Sequence, residues 1–220
     1  MSEHNLRYPM LNKFYQRFLS EENSACFIKS VSDHYMIGTL TRLYNCGDRI
    51  TRRAAILGIG FLGDFSLHET MGMALSDDDR LVRLLAEHNI RQVWKRQGTA
   101  SEQQQLGRLI ALNNANHSKH AVELADQILD ANEYLGEAWN QRAIANSAIG
   151  QFKCSVEDCR QTLQCNRYHF PAAVGMGQSY LRLEDAFSAL DCFRLALRIN
   201  PDLENLRGQI RKLEKLTEGN

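Results

Sequence analysis

Proline is scarce in this chain, with three residues among 220, and the formal net charge is zero. Few prolines and few runs of β-branched residues favour an all-α fold, because both residue classes disfavour helix interiors. No apolar stretch approaches the roughly 20 residues that a membrane-spanning helix needs, and the N-terminus lacks the basic start and apolar core of a signal peptide. A neutral chain has no global attraction to nucleic acid or to anionic membranes. We therefore expect a cytoplasmic protein without a membrane partner, and nucleic acid is disfavoured.

The six cysteines form no C-x-x-C pair, which leaves zinc-ribbon and thioredoxin-like sites without support. We interpret them as reduced and mostly buried small apolar residues. His117 and His120 stand three residues apart, but two potential ligands without a third make a weak metal signal. No nucleophile motif accompanies His169, for which packing on Tyr168 is the favoured reading. We expect no cofactor, no metal and no catalytic residue.

A 34-residue period organises the second half of the chain. Residues 138–143 followed by Gly150 recur as residues 172–177 followed by Glu184. The later copy continues with Tyr180, Ala189, Phe193, Ala196 and Pro201. These offsets resemble the tetratricopeptide repeat, whose period of about 34 residues is typical of stacked helix pairs.

Three copies follow from this period, at residues 102–135, 136–169 and 170–203. One equivalent position of the three aligned copies holds only small residues, Ala121, Ser155 and Ala189. We expect the two helices of each pair to cross closely there. Each copy should form two helices, with turns near Gly150 and Glu184. A final helix over residues 204–218 should cover the last pair through Leu206, Ile210, Leu213 and Leu216.

The first half has a different spacing. Asp48 and Asp79, Arg52 and Arg83, and Ala55 and Ala86 are each 31 residues apart. This pattern is similar to short HEAT-like repeats over about residues 35–97. Residues 97–101 form a small polar stretch, so we predict an N-terminal domain at 1–97 and a tetratricopeptide domain at 98–220.

Together these patterns resemble a bacterial HEAT-like plus tetratricopeptide repeat family of undefined function. The resemblance implies a right-handed α-solenoid of HEAT-like repeats, about three tetratricopeptide repeats and a capping helix. The family usually has Asn-Pro where this chain has Asn166 and Arg167. We therefore expect Pro171 to supply the helix stop there.

The family geometry also implies a concave groove that binds a protein or peptide segment. Its predicted lining is Glu137, Asn140, Gln141, Ile144, Val174, Gln178 and Arg182. Chaperone-tail receptors of the family clamp a terminal carboxylate with Lys, Asn and Arg. This chain has Leu106, Ile110, Pro171 and Gly175 at the corresponding positions, so we expect no such clamp.

Several groups of residues allow two interpretations of their role. Asn140 and Gln141, beside a Trp139 that we expect to be buried, could bond a peptide backbone or a neighbouring helix. Arg49, Arg52 and Arg53 could bind phosphate, but nearby aspartates favour internal ion pairs. Three glycines, Gly58, Gly60 and Gly63, could suggest a nucleotide-binding loop. Close contact between helices explains them better.

The sequence thus favours a non-enzymatic interaction scaffold, because stacked repeats create extended binding surfaces. Two alternatives stay open. One is self-association through N-terminal helices, using Tyr8, Leu11, Phe14 and Phe18. The other is binding of nucleic acid or another macromolecule by the HEAT-like half.

Overall fold

The computed structural model describes residues 9–218, and all regular structure in that range is helical. The all-α prediction is confirmed. Thirteen α-helices lie within the described residues, and a short 3-10 turn, Phe65–Leu67, separates the fourth from the fifth. The helices are α1 Met10–Glu21, α2 Ser24–His34, α3 Ile37–Cys46, α4 Arg49–Leu62, α5 His68–Ala74, α6 Arg80–Lys95, α7 Ala100–Asn114, α8 Ser118–Ala131, α9 Gly136–Ala148, α10 Phe152–Cys165, α11 Phe170–Arg182, α12 Ala186–Ile199 and α13 Glu204–Glu218.

The chain divides into two compact units, Met1–Val93 and Trp94–Asn220. The division falls within α6, a little before the domain boundary that the sequence predicts at 97/98. Each unit is described by itself below.

Helix α4 is the centre of the first unit and packs against α1, α2, α3 and α5. The Asp48 carboxylate caps its N-terminus by accepting the Thr51 backbone N–H at 2.8 Å. Gly60 permits a close approach, because a Cβ there would lie 2.4 Å from the Cβ of Asn89. The helix-contact reading of the glycines is therefore right for Gly60.

The N-terminal aromatic residues Phe14 and Phe18 are partly buried and contact rings of α2. Leu11 is fully buried, the Phe14 ring lies 5.2 Å from the His34 ring, and the Phe18 ring lies 5.5 Å from that of Phe27. Leu11 is therefore not available for self-association, whereas Phe14 and Phe18 keep part of their surface exposed, and self-association stays a prediction. Tyr8 lies outside the described residues.

The basic cluster of α4 forms internal ion pairs, as the neighbouring aspartates indicate. Arg52 binds the Asp77 carboxylate at 2.9 and 3.0 Å, and Arg53 binds Asp79 at 2.7 and 3.1 Å. Arg49 adds a 3.3 Å contact to Asp79. These guanidinium groups hold the segment before α6 against α4.

The 31-residue pattern has only a partial structural counterpart. Asp48 and Asp79 both accept a backbone N–H near a helix start, at Thr51 and Leu81. Arg83 donates to the carbonyl oxygen of Asp77, and Arg52 donates to the carboxylate of the same residue. The HEAT-like assignment stays a prediction.

The second unit repeats with the period that the sequence predicts. Helices α8, α10 and α12 begin at residues 118, 152 and 186, and α9, α11 and α13 begin at 136, 170 and 204. The turns within the pairs place one residue each at positive φ, again 34 residues apart: Asn116, Gly150 and Glu184. The stacked helix pairs are confirmed, and the last helix, α13, spans Glu204–Glu218. In that helix Leu206, Ile210 and Leu213 are buried, whereas Leu216 is 65% exposed.

Small residues fill the crossing points of the pairs. Ala121, Ser155 and Ala189 are all buried, as their shared column predicts. Gly177 serves the third pair in a similar way, because a Cβ there would lie 2.5 Å from the ring of Phe193.

Asparagine, rather than Pro171, ends the helix before the third repeat. The Asn166 Oδ1 accepts the Tyr168 backbone N–H at 3.1 Å, and the same turn recurs at Asn132 and Asn200. Pro171 lies in the first turn of α11, where its missing N–H costs no helical bond. The expectation for Pro171 is therefore wrong.

The buried tryptophan is Trp94, which is 1% exposed, and not Trp139. Trp139 is only partly buried, and its indole N–H donates to the Glu133 carbonyl at 2.8 Å. The expectation of a buried Trp139 is therefore corrected.

The cysteines are free, but they are not mostly buried. Cys159 and Cys192 are buried, and burial raises the pKa of these thiols to about 12 and about 11. Cys46 and Cys154 are exposed.

Candidate functional site

A surface pocket of about 550 Å³ lies where α9, α11 and α13 meet. We call it the Arg182 pocket, and it is lined by Ser147, Gln178, Leu181, Arg182, Gln209, Lys212 and Leu213. Helices α9 and α11 are the first helices of their pairs, and α13 begins where the first helix of a further repeat would begin. Equivalent helices of successive repeats therefore build this pocket.

Two of the predicted groove residues, Gln178 and Arg182, line the pocket and are exposed. Ile144 is 47% exposed and lies one turn before Ser147 on α9. Val174 is partly buried, one turn before Gln178 on α11. These four predicted residues thus lie in or next to one accessible surface.

The Arg182 side chain makes a cation–π contact with an aromatic ring. Its guanidinium carbon lies 4.7 Å from the centre of the Phe152 ring. Arginine over an aromatic face is stabilised by the ring's electron density and keeps its N–H groups available at the edge of the plane. The chain therefore presents a positioned hydrogen-bond donor at the pocket.

Glu137, Asn140 and Gln141 have a different environment, because all three are buried. The Glu137 Oε1 accepts the amide N–H groups of Asn140 at 3.1 Å and of Gln141 at 2.7 Å. Gln141 also accepts from Asn113 on α7 at 2.9 Å. Gln141 thus bonds the neighbouring helix α7, whereas Asn140 bonds Glu137 within its own helix.

His169 completes this network from the start of α11. Its Nε2 lies 3.0 Å from the Glu137 Oε2, and its Nδ1 accepts the Ala172 backbone N–H at 3.1 Å. Because Nδ1 accepts, the proton is on Nε2 and is donated to Glu137. The imidazole stacks on Trp94 at 4.3 Å, so the expected packing on Tyr168 is corrected.

The environment of Glu137 stabilises its charged form. Burial raises the pKa of this carboxyl, but the hydrogen bonds from His169, Gln141 and Asn140 outweigh it and hold the pKa below its ordinary value. Both oxygens and both imidazole nitrogens are occupied within the protein. This acid–histidine pair therefore serves the packing of α9 against α11.

A second polar network, which the sequence reasoning missed, centres on Arg142. Its guanidinium binds Asp158 on α10 and Asp126 on α8, and it lies 4.6 Å from the Trp139 ring centre. Asn146 donates to the same Asp158 at 2.8 Å. Arg142 thereby ties the first and second helix pairs together.

Sequence reasoning also missed the contribution of α13 to the pocket. Ile144, Gln178 and Lys212 are successive members of one 34-residue column, which would have pointed to Lys212.

Among residues 9–218 no three His, Cys, Asp or Glu side chains gather as they would to hold a metal ion. Within the same described range, every helix is too short or too polar to cross a membrane.

No family model matches the sequence. The first tetratricopeptide domain of Spaghetti (RPAP3), solved bound to the HSP90 peptide SRMEEVD, is 17% identical, with a TM-score of 0.51 over 53% of this chain and 93% of that chain. YrrB, described as a tetratricopeptide protein with an unusual peptide-binding site, is 15% identical and covers 90% of this chain and 97% of that chain, with a TM-score of 0.47. The TPR2AB domain of yeast Sti1, in a complex with pHSP90, is 14% identical over 94% and 96% of the two chains, with a TM-score of 0.46.

The match to the RPAP3 domain shows the fold. Together with the 34-residue period and the helix pairs of the second unit, it shows that the chain contains a tetratricopeptide-type helical solenoid.

Proposed function

We propose that this protein is a non-enzymatic interaction scaffold that binds a peptide segment of a partner protein along its first-helix surface. The observation that carries the proposal is the Arg182 pocket, an accessible cleft with polar and apolar lining built by equivalent helices. The matched RPAP3 domain was solved with a peptide bound, which agrees with peptide binding as the use of this fold.

Exposed apolar side chains on the same helices support the proposal. Ile144 is 47% and Leu181 is 37% exposed on α9 and α11. Partner binding would remove these side chains from water, and apolar burial is the main favourable contribution to most protein association. Gln178, which lies three residues before Leu181 on α11, supplies an amide that can bond a peptide backbone.

The proposed site keeps the predicted residues in two roles. Ile144, Val174, Gln178 and Arg182 provide the contact surface. The buried network of Glu137, Asn140 and Gln141 provides its support, because it fixes α9 against α11. Since the network's oxygens and nitrogens are already bonded, we assign it no catalytic part.

The proposal includes a cytoplasmic location, which the six free thiols support because disulfides are rare in that compartment. It does not include nucleic acid binding, because Arg52 and Arg53 are engaged by aspartates. It also excludes chaperone-tail capture by the family clamp, whose positions hold Leu106, Ile110, Pro171 and Gly175.

The proposal is tested by panning a random peptide library against the full chain and measuring the affinity of selected peptides by fluorescence anisotropy. The groove variant combines Ile144→Ala, Gln178→Ala and Leu181→Ala. A matched control combines Lys119→Ala, Glu123→Ala and Gln127→Ala, three exposed positions on α8.

We expect the groove variant to bind selected peptides at least about tenfold more weakly, since a few anchor residues carry most of the binding energy. The control should bind like the unsubstituted chain, and circular dichroism should show equal helicity. Failure to enrich any peptide, or equal binding by the groove variant, would contradict the proposed function.

A further inference from the structure

We propose that the Arg182 pocket selects a peptide segment that carries an acidic side chain next to an apolar one. This inference rests on the proposed peptide-binding function and names the chemistry of the partner. The recognition residues are Arg182 on α11 and Lys212 on α13, so the capping helix forms half of the site.

The first argument is charge. The pocket lining includes two cations, Arg182 and Lys212, and no acidic residue, although the whole chain is neutral. A partner segment that carries carboxylates would complement this charge.

The second argument is that no described side chain forms an ion pair with these two cations, in contrast to three arginines of the same unit. Arg142 binds Asp158, Arg160 binds Glu157, and Arg194 binds Glu214. Within the part of the chain that the structure describes, no carboxylate lies within 4.0 Å of the Arg182 or Lys212 nitrogens. Among the described side chains, both cations are therefore available to bind a carboxylate of a partner.

The third argument is orientation. The central carbon of the Arg182 guanidinium lies over the Phe152 ring, 4.7 Å from the ring centre. The N–H groups of a guanidinium lie in its plane and can form a forked pair with one carboxylate. Phe152 acts as a positioning residue, because it reduces the freedom that Arg182 would lose on binding.

The fourth argument concerns the neighbouring position. Leu181 and Leu213 give the pocket an apolar part beside the cations, and Leu181 is 37% exposed. A volume of about 550 Å³ admits a few side chains rather than a whole helix. An acidic residue followed or preceded by an aliphatic or aromatic one satisfies both parts of the lining.

The test uses random heptapeptides displayed between fixed flanking sequences, so that only side-chain carboxylates are offered. Three forms of the full chain are panned in parallel. They are the unsubstituted protein, the charge-reversed variant Arg182→Glu/Lys212→Glu, and the control Lys29→Glu/Lys119→Glu, which makes the same change in net charge at exposed positions.

We expect the unsubstituted protein and the control to enrich Asp or Glu beside Leu, Ile, Met or Phe. The charge-reversed variant should instead enrich Lys or Arg. For one selected peptide, acetylated and amidated at its ends, Glu→Gln should weaken binding up to about fivefold per ion pair, and added NaCl should reduce that difference.

Each result is decisive. Peptides selected without acidic enrichment, or the same peptides selected by the charge-reversed variant, would overturn the acidic-segment proposal while leaving peptide binding in place. If the free terminal carboxylate of a non-displayed peptide binds and internal acids do not, the proposal is also wrong. If no peptide is enriched by the unsubstituted chain, the proposed function fails as well.

Discussion

The imidazole of His169 donates its Nε2 proton to the Glu137 carboxylate across 3.0 Å, and the two residues begin consecutive first helices of the repeat array. Both side chains are buried, so this bond links α9 to α11 where water cannot compete for it. The pair fixes the spacing of the two helices that present the Arg182 pocket.

Glu137→Gln should lower the free energy of unfolding by about 3 kcal/mol at pH 7, because His169, Asn140 and Gln141 would lose their shared charged acceptor. The pKa of Glu137 is lowered in the folded protein from a reference of 4.5, so its stabilising effect is complete above that pH. The effect should decrease as pH falls below about 4.5 and the folded-state carboxyl becomes protonated.

Urea unfolding of both proteins from pH 7 to pH 3 measures this difference, with the exposed Glu123→Gln as control. A difference between the unsubstituted chain and Glu137→Gln that stays constant or grows as pH falls would contradict the assignment.

Gly177→Ala should destabilise the second unit by about 1–3 kcal/mol, because the new methyl group would stand 2.5 Å from the buried Phe193 ring. Gly107→Ala is the matched control, since a Cβ at that position of α7 meets nothing within 4 Å. The control should stabilise the helix by roughly 0.5–1 kcal/mol. Thermal and urea unfolding measure both effects, and equal shifts in the two variants would refute the close-packing argument.

Trp94→Ala should cost about 3–5 kcal/mol, because a fully buried indole stacked on His169 would leave a cavity. Trp139→Ala should cost clearly less, since that ring is only partly buried. The comparison requires unfolding curves followed by circular dichroism, because each variant removes one of the two tryptophans. A larger loss for Trp139→Ala would reverse this ranking.

Phe152→Leu should weaken binding of an acidic peptide about threefold while sparing a peptide whose acid is replaced by glutamine, because cation–π support of Arg182 is worth roughly 0.5–1 kcal/mol at an exposed site. In a double-mutant cycle with Arg182→Ala, the effect of Phe152→Leu should disappear. Additive losses would show that Phe152 acts on folding and does not position Arg182.

Asparagine illustrates why some local features escaped the sequence reasoning. The absence of proline at position 167 led to an expectation about Pro171, yet Asn166 ends its helix with its own side chain. The equivalent residues Asn132 and Asn200 were visible at the same 34-residue spacing. This signal was in the sequence and required only that the Asx turn be recognised.

The sequence alone determined the helical period of the second unit, since small and apolar residues recur at offsets that only stacked helix pairs can bury together. It also indicated the surface on which Gln178 and Arg182 lie. Tertiary structure decided which polar residues are accessible. Glu137 accepts hydrogen bonds from Asn140, Gln141 and His169 inside the protein. Arg182 and Lys212, in contrast, line an open pocket. Helical periodicity specifies the face of a residue, but hydrogen-bond partners and burial depend on which helices meet, and that information arises only when the chain is packed.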